Sequence, residues 1–197
     1  MMRPNLALDA PPTVLSVGGV DYDINTDYRV WIGVLHNLRN LIPLPKTPEQ
    51  ALHNSDSIAE IERSIFGKVI DANAGDVLQA IGNFAAGYPE APIGEGKPSM
   101  VQTYSFDWDL NYIIIAIMNQ FGIDISYRCE HFHFWLFLLY FRALCGNHYI
   151  LRLMEIRGYD GKDTEMKRQA QRFAVPREQT AEDQALADEF NDIFYNA

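Results

Sequence analysis

The apolar positions of this chain follow two spacings. Over residues 14–24 they fall in two short runs, Val14-Leu15-Ser16-Val17 and Val20-Asp21-Tyr22-Asp23-Ile24, separated by Gly18-Gly19. Two glycines between β-prone runs supply the positive φ that a two-residue turn needs, so a β-hairpin is predicted. A lone hairpin is marginal in water and must pack on helices, here on the helix expected from Asp27 to Leu41. In that helix Tyr28, Trp31, Ile32, Leu35, Leu38 and Ile42 recur at three and four residues, behind the capping side chains of Asn25-Thr26-Asp27 and ahead of Pro43 and Pro45. Thr47-Pro48-Glu49-Gln50 joins an N-cap, a first-turn proline and a Gln that can reach back, which starts another helix. Ser57 with Glu60 repeats the device ahead of Ile61, Ile65, Phe66 and Val69, and predicts a further short helix. After Asn73-Ala74-Gly75-Asp76 the period resumes in Val77, Leu78, Ile81, Phe84, Ala85 and Tyr88.

Glycines and prolines crowd residues 87–98, the mark of an exposed connector. Beyond it Leu110, Ile113, Ile114, Ile117, Met118 and Phe121 form one stripe that ends at Gly122, a suitable left-handed C-cap. Residues 128–145 follow as a central helix, apolar on nearly every face between Phe134 and Phe141, and therefore expected to be surrounded by protein. Its apolar run is far shorter than the roughly 18 residues of a membrane span. A further helix is expected from about Tyr149 to Arg157. The fold class predicted is mainly α: short amphipathic helices around a buried central helix, with a small N-terminal hairpin.

Charge divides the C-terminal part. Lys162, Lys167, Arg168, Arg172 and Arg177 make a basic segment, whereas residues 178–197 carry six carboxylates and no Lys or Arg. Leu186, Phe190 and Ile193 keep helical spacing within that acidic stretch. The organisation expected is a flexible N-terminus over 1–13, one helical domain over 14–176, and an acidic helix or tail over 177–197. Over the whole chain Lys plus Arg number 16 against 26 Asp plus Glu, a formal charge of -10, which disfavours nucleic acid and anionic membranes as partners. The opening residues lack the long apolar core of a secretory signal, so a cytoplasmic protein is expected, with Cys129 and Cys145 reduced.

Cys129, His131, His133, Cys145 and His148 could suggest a metal. If residues 129–145 are one helix, its ends lie roughly 24 Å apart, and neither end alone offers more than two ligands on one face. No metal and no cofactor are expected. Asp107 and Asp109 flank Trp108 at a helix start, where acidic residues oppose the macrodipole, and Asp124 and Ser126 are ordinary cap candidates. Neither a phosphate loop nor a nucleophile elbow is present, so catalytic residues are not assigned and an enzyme is not expected. Trp31, Trp108 and Trp135 sit among apolar residues at helical positions and are expected in the core.

Several stretches together resemble a known family. Residues Tyr22 to Ile32, Tyr104-Ser105-Phe106-Asp107-Trp108-Asp109 with Ile113 to Phe121, Gly122-Ile123-Asp124-Ile125, His133-Phe134-Trp135 and Met154-Glu155-Ile156-Arg157-Gly158-Tyr159 look like the bacteriophage gene-product-fifteen family of long-tailed phages and prophages. The likeness runs from about Val14 to Pro176. It departs at Phe134, where a second Trp is usual, at Cys145-Gly146-Asn147-His148, and after Pro176. The resemblance implies a tail assembly chaperone of the host cytoplasm whose partners are the tape measure protein and the tail tube protein. A homo-oligomer is compatible with it. The alternative is a virion structural protein, a completion or connector component of the tail. Leu186, Phe190 and Ile193 are the candidate partner-binding residues, as the apolar side of the acidic segment.

Overall fold

A computed structural model describes residues 10–87 and 101–176. The acidic segment with Leu186, Phe190 and Ile193, and most of the connector and of the N-terminus, lie outside the described residues. The chain forms two compact units, one over Pro12–Ala86 and the other over Gly87–Pro176. The single domain expected over 14–176 therefore stays an expectation, and each unit is taken by itself.

In the first unit β1 (Val14–Val17) and β2 (Val20–Asp23) pair antiparallel, with Val17 opposite Val20. Gly18 and Gly19 turn the chain with φ of 58° and 85°, the double positive that a primed turn demands. Leu15 and Val17 point into the core and their neighbours outward, the alternation that fixes strand register. The helices are α1 (Tyr28–Arg39), α2 (Pro48–Phe66) and α3 (Ala74–Ala85). The main helical contact of the hairpin is between β1 and α3, not α1. Asp27 caps α1 by accepting from the Arg29 N–H at 3.0 Å. Trp31 is fully buried: its ring lies 4.2 Å from that of Phe84, and its indole N–H donates to the Asn25 carbonyl at 2.7 Å. The proline-rich turn after α1 is clasped by Asn54, whose amide accepts from Ile42 N–H at 2.9 Å and donates to Ile42 C=O at 2.8 Å.

One expectation fails here. Ser57 and Glu60 do not start a new helix, because α2 runs unbroken for 19 residues. A capping pair acts only where the backbone before it leaves the helix, and no Gly or Pro stands between Glu49 and Phe66 to make it leave. The cap at Thr47 is real, accepting from Gln50 N–H at 3.3 Å, while the Gln50 side chain accepts from Lys46 N–H at 2.7 Å.

The second unit holds α4 (Phe106–Phe121), α5 (Phe134–Arg142), α6 (Tyr149–Arg157) and α7 (Thr164–Arg172). α4 contacts α5 and α6, and α6 contacts α7. Ser105 caps α4, and Gly122, at φ 69°, ends it with an N–H to Met118 C=O bond of 2.9 Å. α5 is the element expected to be central, and it is shorter than 128–145. Residues 129–133 form no helix, and His133, through Nδ1, accepts from Trp135 N–H at 3.0 Å to start one. Phe134, Trp135, Phe137, Leu138 and Phe141 are buried, and Arg142 is the one exposed residue of the nine. Their rings continue into the approach to α4: Tyr104 and Phe141 lie 5.0 Å apart, Phe106 and Phe137 5.7 Å, in the edge-to-face and tilted arrangements that aromatic quadrupoles favour. Gln120 ties α4 to the turn after α5, donating to Ala143 C=O at 3.0 Å and accepting from Cys145 N–H at 2.9 Å. Among the described residues no helix is long and apolar enough to cross a membrane.

Candidate partner-binding face

α4 shows two apolar faces. Phe106, Ile113, Ala116 and Ile117 are buried on one side. Trp108, Tyr112 and Ile115, spaced i, i+4 and i+7, are 53%, 43% and 55% exposed on the other. The expectation of three core tryptophans thus holds for Trp31 and Trp135 but not for Trp108. At 100° per residue, position 108 cannot share a face with Phe106 and Asp109, and the inward-facing set is complete without it. Single exposed apolar residues are ordinary, but three in register over two turns make a surface that needs a reason.

That surface continues onto the next helix. Tyr112 meets Tyr149, at the start of α6, edge to face at 4.8 Å, and Tyr149 is itself half exposed. Tyr149 also lines a groove of about 350 Å³ between α6 and α7. Leu153, Ile156 and Phe173 give the groove apolar walls, and its polar lining is Arg152, Arg168 and Arg172 with Gln169 and a single carboxylate, Glu165. Glu165 and Arg168 form an exposed pair at 3.1 Å, a geometry worth little in water. Of the basic segment expected only as a charge run, Arg168 and Arg172 line this groove, and Arg177 lies outside the described residues. Asp163 caps α7 by accepting from Met166 N–H at 2.8 Å. Among the described residues none of the side chains of α7 is fully buried.

What holds α6 and α7 in place is an ion pair that the sequence did not advertise. Asp109, read as a cap residue, is buried, and its two carboxylate oxygens accept from Arg157 Nη1 at 2.6 Å and Nη2 at 3.2 Å. Its Oδ2 also accepts from Ser105 N–H at 2.9 Å. Arg157 gives two further donors to carbonyls, Nε to Phe173 at 2.6 Å and Nη1 to Thr103 at 3.1 Å. One guanidinium joins α4, the end of α6 and the end of α7, the planar fork for which Lys is no substitute. Two of the stretches that carry the family likeness, around Asp109 and around Arg157, meet at this contact.

The residues considered for chemistry are scattered. Cys129 donates its thiol to His131 C=O at 3.2 Å, and His133 serves as a helix cap. Cys145 is exposed, and His148 Nε2 lies 3.2 Å from Gln120 Oε1. The 24 Å separation presumed one helix over 129–145, and that helix is only Phe134–Arg142. Among the described residues no group of three or more His, Cys, Asp or Glu could hold a metal. Asp107 stays at the helix start, accepting from the Ser105 hydroxyl at 3.3 Å. Asp124 caps a turn rather than α5: Ser126 N–H donates to it at 2.9 Å, and hydrogen bonds from the Ser126 side chain and backbone hold its carboxyl below the usual Asp value.

No curated protein and no solved structure matches the chain. The family model described as Bacteriophage Gp15 protein matches residues 9–179. That span takes in both compact units, the Asp109–Arg157 contact and the whole α6–α7 groove, and the chain belongs to the bacteriophage Gp15 protein family.

Proposed function

We infer that this phage protein is a tail assembly chaperone, which binds the tape measure protein in the host cytoplasm and brings tail tube subunits to it. The observation that supports a binding role is the continuous exposed face from Trp108 through Tyr112 and Tyr149 into the α6–α7 groove. A long helical protein with an apolar face aggregates when free, and a helical chaperone covers such a face with apolar grooves of its own. A net charge of -10 keeps the assembled complex in solution. Catalysis has no part in this reading: the most buried carboxylate among the described residues of the second unit, Asp109, is committed to Arg157.

Co-expression with the tape measure protein of the same phage tests it. The expected result is a soluble tape measure protein that co-purifies with many copies of this chain, and finished particles that lack the chain by mass spectrometry. Stoichiometric recovery of the chain from purified virions would sink the chaperone reading and favour a completion or connector component.

A further inference from the structure

The lining of the α6–α7 groove has the opposite charge to the chain as a whole. Three arginines line it against one carboxylate, and that carboxylate already faces Arg168. The chain as a whole carries ten more acidic than basic groups, so an acidic partner is repelled in general and attracted here. The walls between the arginines are apolar, and Tyr149 carries the apolar surface on to Tyr112, Ile115 and Trp108 of α4. α7 is short, about 13.5 Å at nine residues, and a helix of that length is not stable without packing. Met166, Ala170 and Phe173 give it one apolar side, and none of the three is fully buried. An added helix laid along the groove would cover that side.

We propose that the groove between α6 and α7 receives an amphipathic helix of a partner protein, with apolar residues at i, i+4 and i+7 and carboxylates along both edges of that stripe. Such a stripe is about 10.5 Å long, within the length of the nine-residue helices that form the walls. Arg152 on α6 and Arg168 and Arg172 on α7 reach the carboxylates from opposite banks, while Leu153, Ile156, Tyr149 and Phe173 take the apolar side chains. Charge on both banks fixes the helix in register and excludes one with basic edges. This deepens the binding role proposed above by naming the chemistry of the partner.

The test uses the full chain and synthetic peptides, with no phage protein present, so its failure leaves the co-expression result untouched. One peptide is an amphipathic helix with Leu at i, i+4 and i+7 and Glu at the flanking positions, and its control has Lys in place of every Glu. The expected result is that the Glu peptide binds, slows amide exchange in α6 and α7, and loses affinity about tenfold or more in Arg168→Glu/Arg172→Glu or in high salt. Because both arginines are exposed, that variant should keep its melting midpoint. Equal binding of the Lys peptide, binding without protection of α6 and α7, or no binding at all overturns the proposal. Binding of the Glu peptide that emerges only after Leu186, Phe190 and Ile193 are changed to Ser also overturns it, by assigning the groove to the acidic segment of the chain itself.

Discussion

Arg157 and Asp109, 48 residues apart in sequence, form a two-pronged ion pair whose side chains are 7% and 3% exposed. Removing either partner strands a buried charge. Arg157→Ala and Asp109→Ala are each expected to lose about 3–5 kcal/mol in urea unfolding. The double variant Asp109→Leu/Arg157→Met should recover part of that loss. Recovery stays incomplete because the Phe173 and Thr103 carbonyls still lack their donor. Losses that simply add would show that the two side chains act independently.

Gly87 is buried with φ 72°, and a Cβ built on it would stand 2.8 Å from Leu138 Cδ1 on α5. Gly122 has nearly the same φ, 69°, and open space around it. Gly122→Ala therefore measures left-handed strain alone, about 1–2 kcal/mol. Gly87→Ala should cost about 1–3 kcal/mol more for the steric clash. Equal drops in melting midpoint would mean that Leu138 swings aside freely.

The tryptophans of the second unit should part company. Trp135→Ala empties part of the α5 core and is expected to cost about 3–5 kcal/mol. Trp108→Ala changes an exposed side chain, so stability should stay within about 0.5 kcal/mol. Its effect should instead be weaker capture of the tape measure protein on co-expression. Full capture by Trp108→Ala would remove the α4 stripe from the binding face.

Hydrogen bonds from Ser126 hold the Asp124 carboxyl below its ordinary value, so the folded state favours the ionised form. The stabilisation is complete above the ordinary Asp pKa and is lost as pH falls through the lowered value in the folded protein. Carboxyl-carbon NMR titration should place Asp124 below a typical Asp and show it rising in Ser126→Ala. An unchanged titration in that variant would assign the shift to the Ser126 backbone N–H, which alanine retains, and to Arg128.

Elements set by neighbours in sequence were legible before any coordinates. The Gly18-Gly19 turn, the caps at Asp27 and Thr47, the Gly122 stop and the bounds of α6 each depend on residues a few positions apart. Ser57 misled because a capping pair looks the same inside a helix as at its start. The 128–145 helix was drawn too long because hydrophobicity marks burial without marking where a backbone turns, and a histidine cap at His133 is an uncommon signal. Trp108 shows the limit most plainly. Its composition argues for the core, and only the face chosen by Phe106, Asp109 and Ile113 turns it outward. The groove could not be read at all, since it needs α7 beside α6, and the contact that holds their ends together joins residues far apart in the chain.

The bonds of Arg157 also bear on how long the second unit lasts once formed. They close loops of 16, 48 and 54 residues, and the longest costs about 1 kcal/mol more closure entropy than the shortest. The guanidinium can make all of them only after α4, α6 and the end of α7 are in place, so the contact forms late on the way to the native state. Interactions absent from the transition state govern how fast a protein unfolds and leave its folding rate nearly alone. Loss of Arg157 should accordingly steepen decay rather than delay assembly. In a native population the guanidinium acts as a latch, lengthening the lifetime of the face that α4, α6 and α7 present.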